Sequence, residues 1–464
     1  MTATQTRRTL ARAASVALVT LIAVSVAPAN PSFATGGSVT AWGSNDNHEL
    51  NVPADRGNVI QVATGMSHNL ALHADGTVSA WGRGHFSADD LINESPSAAT
   101  VPGGLSNVVQ VDAGDKHSVA LRADGTVVAW GFNDQGQTDV PAGLSNVVQV
   151  VAGGSHTLAL HADGTVTAWG WNDWNQLEIP ADLGDVVQIA AGTHHNLALL
   201  RDGTVRSWGR SNFGQVAVPS TLGQVVSLAA GTWHSVAIRA DGSVAAWGVN
   251  DRGQSDRPSG LGDVIHVAAG LDNSAAVHPD GTITVWGTDE FGHMDLPAEL
   301  GGVTSVGVGR YHAIALSDPG ASRLVISGTA EVGSTLTADF TSAHVDPATL
   351  SYQWFVGGSA VSGATSSTYV VNEADADEPV LVRALSSQPG VPPIVSAAVT
   401  VPALASDDES ATDGAAVDES PADLPWAVIG GVIAIVALAV VVVVVMMRRR
   451  KGAAEPTGGA TPSV

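Results

Sequence analysis

A Trp-Gly pair begins at Trp42, Trp81, Trp130, Trp169, Trp208, Trp247 and Trp286, and five of the six intervals are 39 residues, the remaining one 49. A period of this length belongs to architectures in which each unit is one small supersecondary piece that buries its apolar surface only against its neighbours. Six of the seven tryptophans follow, at five residues, the glycine of an Asp-Gly pair, as in Asp75-Gly76 and Asp202-Gly203; the first unit has Gly36-Gly37 there. In the unit around Trp208, residues 186–190, 195–200 and 204–208 are short apolar runs separated by Gly192 and by Asp202-Gly203. Each run reads as a strand, and Asp-Gly reads as a type I′ hairpin turn, in which both central residues have positive φ. In the middle strand Leu70 and Leu72 alternate with Asn69 and Ala71 and neither side is charged, so both faces are expected to be covered.

The ends of the repeat region decide how the units are arranged. It opens with a lone third strand, 38–42, and closes with two strands, 303–309 and 312–316, that lack a third. The two fragments complete one another, which gives an all-β, seven-bladed β-propeller sealed by its own termini and free of exposed sheet edges.

The spelling AWGxNDxGQxxVPxxLxxVVxVAAGxxHxLALxxDGTV, which several units share, closely resembles the regulator of chromosome condensation repeat family. The likeness is to its short bacterial branch of alpha-tubulin-suppressor-like and β-lactamase-inhibitor-like proteins. It covers Gly36 to about Ser317, and it implies a seven-bladed propeller (residues 35–318) with a binding role. Eukaryotic namesakes act as nucleotide exchange factors or chromatin binders, roles that do not suit an acidic exported chain.

Outside the repeats the chain divides by composition. Residues 1–34 carry Arg7, Arg8 and Arg12, an apolar run and small residues, the pattern of a secretory signal peptide cleaved after Ala29 or after Ala34. Residues 321–403 hold short alternating runs and Tyr352-Gln353-Trp354, which read as a small β-sandwich with Trp354 in its core and resemble bacterial immunoglobulin-like domains. Residues 404–424 contain seven carboxylates among Ala, Ser and Pro and read as an extended acidic stalk. The uncharged apolar stretch 426–447 is long enough for a transmembrane helix, and Arg448, Arg449, Arg450 and Lys451 after it place the tail, 448–464, in the cytoplasm. No LPxTG sorting signal precedes the span, so the helix itself is expected to be the anchor in the plasma membrane.

Of the 20 Lys and Arg, three precede the first apolar run and four follow the last, whereas all but one of the 44 Asp and Glu lie between them. So acidic an ectodomain repels nucleic acid and anionic lipid, which disfavours a phosphate-binding role. The chain has no cysteine, so disulfides and thiolate metal sites are excluded as well.

Nothing in the chain spells an active site: there is no nucleophile elbow, zinc-binding helix or phosphate loop, and an enzyme, a cofactor or a metal is not expected. His68, His117, His156, His195, His234 and His312, with Asn273 in the remaining unit, are spread around a ring and are expected to hydrogen-bond backbone near a hairpin. Asn133-Asp134, Asn172-Asp173 and Asn250-Asp251 lack the remainder of a calcium loop.

Strand directions place the tips after the first strands and the loops after Trp-Gly on one face, and there the repeat stops repeating. The candidate binding residues are Lys116, Phe132, Trp171, Trp174, His194, Phe213, Trp233, Phe291 and Tyr311, aromatic and cationic positions of the kind that dominate binding hot spots. The inserted segment 84–101 starts on the same face. The expectation is a monomeric surface protein whose propeller binds an extracellular protein or glycan; inhibition of an extracellular enzyme is the alternative that the resemblance suggests, with a propeller enzyme ranked after it.

Overall fold

A computed structural model describes residues 37–54, 58–83 and 97–404. The signal peptide, the stalk beyond Leu404, the apolar span, the tail and most of the inserted segment lie outside the described residues. None of the described helices is long and apolar enough to cross a membrane.

Seven antiparallel three-stranded sheets form the blades. Blade 1 is Val59–Thr64, His68–His73 and Val78–Gly82; blade 2 is Val108–Ala113, His117–Arg122 and Val127–Gly131; blade 3 is Val147–Ala152, His156–His161 and Val166–Gly170. Blade 4 is Val186–Ala191, His195–Leu200 and Val205–Gly209; blade 5 is Val225–Ala230, His234–Arg239 and Val244–Gly248; blade 6 is His266–Ala269, Asn273–Val277 and Ile283–Gly287. Blade 7 takes Ser305–Val308 and His312–Ser317 from one end of the repeat region and Ser38–Gly43 from the other, with Trp42 opposite Ala313. First strands of successive blades touch, and the first strand of blade 7 touches that of blade 1, so the ring closes as the chain ends imply.

The apolar core lies between blades. At the junction of blades 1 and 2, Leu70 and Leu72 pack with Val108, Val111 and Trp130, while Ala71, on the other side of the same strand, packs with Ile314 and Leu316 of blade 7. This two-sided burial is why the middle strands carry no charge before their last residue, which is Arg122 in blade 2 and Arg239 in blade 5. The edges of the inner strands are stitched across blades by glutamine: Gln61 Nε2 donates to Val111 O at 3.1 Å and Val111 N donates to Gln61 Oε1 at 3.0 Å, and Gln110, Gln149 and Gln188 repeat the pair one blade further each time.

Two local expectations are corrected. The Asp-Gly hairpins are not type I′, because only their glycines have positive φ, as Gly76 does at 76°. The loop has one residue more, Ala74, so the chain makes a type I turn and Gly76 alone takes the left-handed conformation, with Gly76 N donating to His73 O at 2.9 Å. Asp75 instead closes the turn through its side chain, accepting from Thr77 N at 2.9 Å and Thr77 Oγ1 at 2.6 Å, and the threonine hydroxyl holds its carboxyl below the usual range.

Nor do the ring histidines bond backbone. Each Nε2 reaches a side chain on the middle strand of the next blade: His68 to Ser118 at 3.0 Å, His117 to Thr157 at 3.0 Å, His156 to Asn196 at 2.7 Å, His195 to Ser235 at 3.0 Å and His234 to Ser274 at 2.8 Å. His312 reaches Asn69 and closes the circle. Only Asn273, in blade 6, donates to a backbone oxygen, Thr288 O. The partners are anchored in turn: Asn196 Nδ2 and Trp208 Nε1 both donate to Gln176 O, at 2.8 and 3.0 Å.

The residues from Arg323 onward form two sheets over a common core. One comprises Arg323–Ser327, Thr335–Thr341 and Thr368–Val370; the other comprises Leu350–Val356, Ser359–Ala360, Pro379–Ser386, Ile394–Val395 and Val399–Thr400. Trp354 is fully buried between them and stacks on Tyr369, as the sequence implies. The second sheet is covered on its other face too. Phe355, Leu381 and Val395 alternate with Trp354, Val380 and Val382 and pack against blades 5 and 6, so sandwich and propeller form one compact unit rather than separate bodies. Arg383, also fully buried, donates to Arg201 O at 2.7 Å and to Val225 O at 3.5 Å. Gly390 N donates to Val148 O at 2.6 Å and Ala360 N to Gln224 Oε1. All of these contacts fall on the Asp-Gly end of the blades.

Candidate binding face

The opposite end of the blades carries the tips and the loops after Trp-Gly, and each pair is joined by one hydrogen bond. Phe132 N donates to Lys116 O at 3.0 Å, Trp171 N to Ser155 O at 2.9 Å, Arg210 N to His194 O at 2.9 Å and Val249 N to Trp233 O at 3.0 Å. Strand direction therefore places both sets on one face, as expected from sequence.

Five of the described loops are braced from inside by a buried side chain, which frees the apex to vary. In the loop after Trp169-Gly170, buried Gln176 accepts from Trp174 N at 2.9 Å, and Asn172 Oδ1 accepts from Leu177 N at 2.8 Å. Gln215 does the same for Phe213 N at 3.0 Å, and Gln254 for Arg252 N at 2.9 Å. The brace uses a buried side chain and, in the loop after Gly170, Asn172 as well, with backbone as the donor, so the apex side chain is not needed to hold the loop.

The structure brings five of the candidate residues together. The His194 ring lies 5.2 Å from Trp171 and 4.8 Å from Trp233, and Phe213 meets Trp233 edge to face at 5.3 Å. Three of the rings share Arg210, whose guanidinium lies 4.0 Å from the Trp174 ring centre, 4.7 Å from that of Trp233 and 5.2 Å from that of Phe213. The sequence reading missed Arg210. It stands directly after Trp208-Gly209, in a loop whose sequence signal is the aromatic Phe213. Burial, with the Arg210 charge second, pushes His194 down to about 4, so its ring is neutral at physiological pH.

The other candidates form two smaller groups. Lys116 lies 4.8 Å from the centre of the Phe132 ring, and Phe291 and Tyr311 meet edge to face at 4.9 Å with Arg310 5.2 Å from Tyr311. Between the groups, residues from all seven tips, including Asp115, Thr193, Thr232 and Arg310, line a cavity of about 270 Å³ at the mouth of the central channel. Burial raises the Asp115 carboxyl above its usual range, with Arg310 and Lys116 opposing the shift. Close packing shapes this mouth: a methyl group on Gly192 would overlap Gly231 O and the His195 ring. Among the described residues, no group of three or more metal-ligating side chains gathers.

Residues 59–87, 108–137, 147–176, 186–215 and 225–254 match the family model of the regulator of chromosome condensation (RCC1) repeat. These five segments are RCC1 repeats. They correspond to blades 1 to 5, each with the start of the loop that follows it, and blades 6 and 7 continue the same strand order and Trp anchoring. No curated protein matches the chain. Among solved structures the RCC1 propeller is similar to Prp20p from Saccharomyces cerevisiae, at 23% identity over 61% of this chain and 91% of that one, with a TM-score of 0.49. It is also similar to human WBSCR16, at 20% identity over 61% of this chain and 99% of that one, with a TM-score of 0.48. The ectodomain of the Arabidopsis thaliana receptor kinase ACR4 matches at 21% identity over 55% and 91%, with a TM-score of 0.43.

Proposed function

We propose that the chain is a cell-surface binding protein, held in the membrane by the span 426–447, whose RCC1 propeller presents its tip face to an extracellular protein and performs no catalysis. One observation carries this reading. The Asp-Gly face packs against the sandwich, whereas the tip face bears a braced scaffold whose apex residues differ from blade to blade: Asn47, Gln135, Trp174, Phe213, Arg252 and Phe291. A scaffold repeated with variable, partly exposed aromatic and cationic tips supports recognition, since hot spots draw on Trp, Tyr and Arg.

Two experiments test the proposal. Protease treatment of intact cells is expected to remove an epitope in the propeller while sparing a tag placed after Lys451; loss of the tag would refute the topology. Full-length protein in which Trp171, Trp174 and Trp233 are replaced by Ala is expected to lose capture of surface proteins while keeping its melting transition. Equal capture by the variant would refute the choice of face.

A further inference from the structure

The loop that carries Arg210 departs from the repeat in its charge. Five of its six counterparts hold an acidic residue at the fourth position from Trp (Asp46, Asp134, Asp173, Asp251, Glu290), where this loop has Asn212 and the loop after Trp81 has His85. At the ninth position most hold a second one, which bonds the loop asparagine, as Asp139 does to Asn133 at 2.7 Å and Asp256 to Asn250 at 2.7 Å. This loop has Ala217 there. Among the described loops it is thus the one that lacks both carboxylates, and it carries a cation directly after Trp-Gly, as the loop after Trp81-Gly82 does with Arg83.

Among the described residues Arg210 has no counter-ion. Among the described residues its guanidinium has no ion pair and no side-chain hydrogen bond, its Nε is buried without a partner, and its contacts are with the rings of Trp174, Phe213 and Trp233. A chain with 44 acidic and 20 basic residues has carboxylates enough to pair such a group, yet none of the described ones pairs with it. Aromatic rings hold a guanidinium in position without neutralising it, and its N–H edges remain able to form a two-point bond to a carboxylate.

From this we infer that Arg210 is a pre-organised receptor for a carboxylate of the protein partner, an Asp or Glu side chain exposed on its surface. This rests on the proposed binding role of the tip face. The charge favours a carboxylate, and the rings favour a side chain over an acidic sugar, because the ring faces nearest the guanidinium are occupied by it and offer no stacking surface to a pyranose. Phe213, 45% exposed beside Arg210, supplies apolar contact for the methylenes of a Glu side chain.

The test is a titration of the full-length protein with fluorescein-labelled hexaglutamate, hexalysine and hexagalacturonate at about 0.15 M ionic strength, where attraction between distant surface charges is screened. Hexaglutamate is expected to bind. Arg210→Gln is expected to weaken it by about tenfold or more, and Arg210→Lys less, because lysine keeps the charge but not the fork. Asn212→Asp, which restores the acidic residue of the repeat without touching the ring cluster, is expected to weaken binding at an unchanged melting temperature. Absence of hexaglutamate binding, equal binding by Arg210→Gln and Asn212→Asp, or preference for hexalysine would overturn the assignment. Arg210-dependent binding of hexagalacturonate alone would overturn it in favour of a glycan. If the triple Trp variant loses partner capture while Arg210 proves indifferent to hexaglutamate, the face stands and only the carboxylate assignment falls.

Discussion

His312 Nε2 lies 2.6 Å from Asn69 Oδ1, a side chain 243 residues earlier in the chain. The amide is held by Asn69 Nδ2 donating to Glu49 O at 3.0 Å, so Oδ1 faces the histidine and Nε2 carries the proton. The same carbonyl of Glu49 accepts from Trp81 Nε1 at 2.8 Å. Blade 7 is thereby joined to blade 1 through the same clasp that joins blades 3 and 4, and closure is a repeat of the internal junctions.

Closure should therefore be a large part of stability. Trp42 is 4% exposed, supplies the third-strand tryptophan of blade 7 and donates to His293 O at 2.8 Å. Trp42→Ala is expected to destabilise the propeller by about 3–5 kcal/mol, the range for a large aromatic removed from a packed core. Chemical denaturation checks this, and an unchanged midpoint would show that the terminal strand is not part of the folded ring.

The clasp also makes the ring sensitive to acid. Burial lowers His68, His156 and His234 to about 4 and His117, His195 and His312 to about 3, and in every one of them Nδ1 is buried without a partner. Unfolded histidines take up a proton near pH 6.5. Between that pH and the folded values the unfolded state binds more protons, so stability is full above about 6.5 and falls as the pH is lowered, by about 1.4 kcal/mol per pH unit for each histidine titrating. Asp112, raised to about 6 by burial, acts in the opposite sense between about 3.8 and 6, and Asp115, Asp263 and Asp272, also raised by burial, act with it, but His194, His266 and His293 are lowered by burial like the six of the ring, and the histidines outnumber the carboxylates. Melting temperature measured from pH 7 to pH 4 is expected to fall throughout, and His195→Gln is expected to reduce the slope; a flat profile would contradict the buried, neutral ring.

Coupling of sandwich to propeller is open to test through Arg383. Burial, with repulsion from Arg201 second, pulls its guanidinium down to about 10, and its protein hydrogen bonds are to the carbonyls of Arg201 and Val225. Arg383→Ala leaves those carbonyls unpaired and opens a cavity, at an expected loss of about 2–4 kcal/mol. Calorimetry is expected to resolve two transitions in place of one, and a single unshifted transition would show that the two parts are not coupled through this residue.

Much of the fold was legible because periodicity reports on topology directly: Trp-Gly spacing counts the blades, and the orphan strand 38–42 announces closure. Turn type was misread because Asp-Gly marks where a hairpin turns but not how many residues it spends there, and Ala74 is the extra one. The role of the histidines was misread because their partners, Ser118 or Asn196, stand 50 or 40 residues further on, a distance at which sequence alone shows no pairing. The docked face of the sandwich had a readable signal, the unbroken apolar runs Trp354-Phe355-Val356 and Val380-Leu381-Val382, which imply a strand buried on both sides. At the candidate site the individual rings were legible from their divergence. Their convergence on Arg210 was not, because Trp174, Phe213 and Trp233 come from blades 3, 4 and 5.

The central claim is that recognition uses the tip face, and hydrogen exchange on the full-length protein, free and with a captured surface partner, tests it most directly. Slowed exchange is expected in the peptides that span Trp171 to Asn175, Thr193 to His195 and Arg210 to Gly214, with the Asp-Gly hairpins unchanged. Protection confined to the Asp-Gly hairpins or to the sandwich, with the tip loops exchanging as in the free protein, would contradict it.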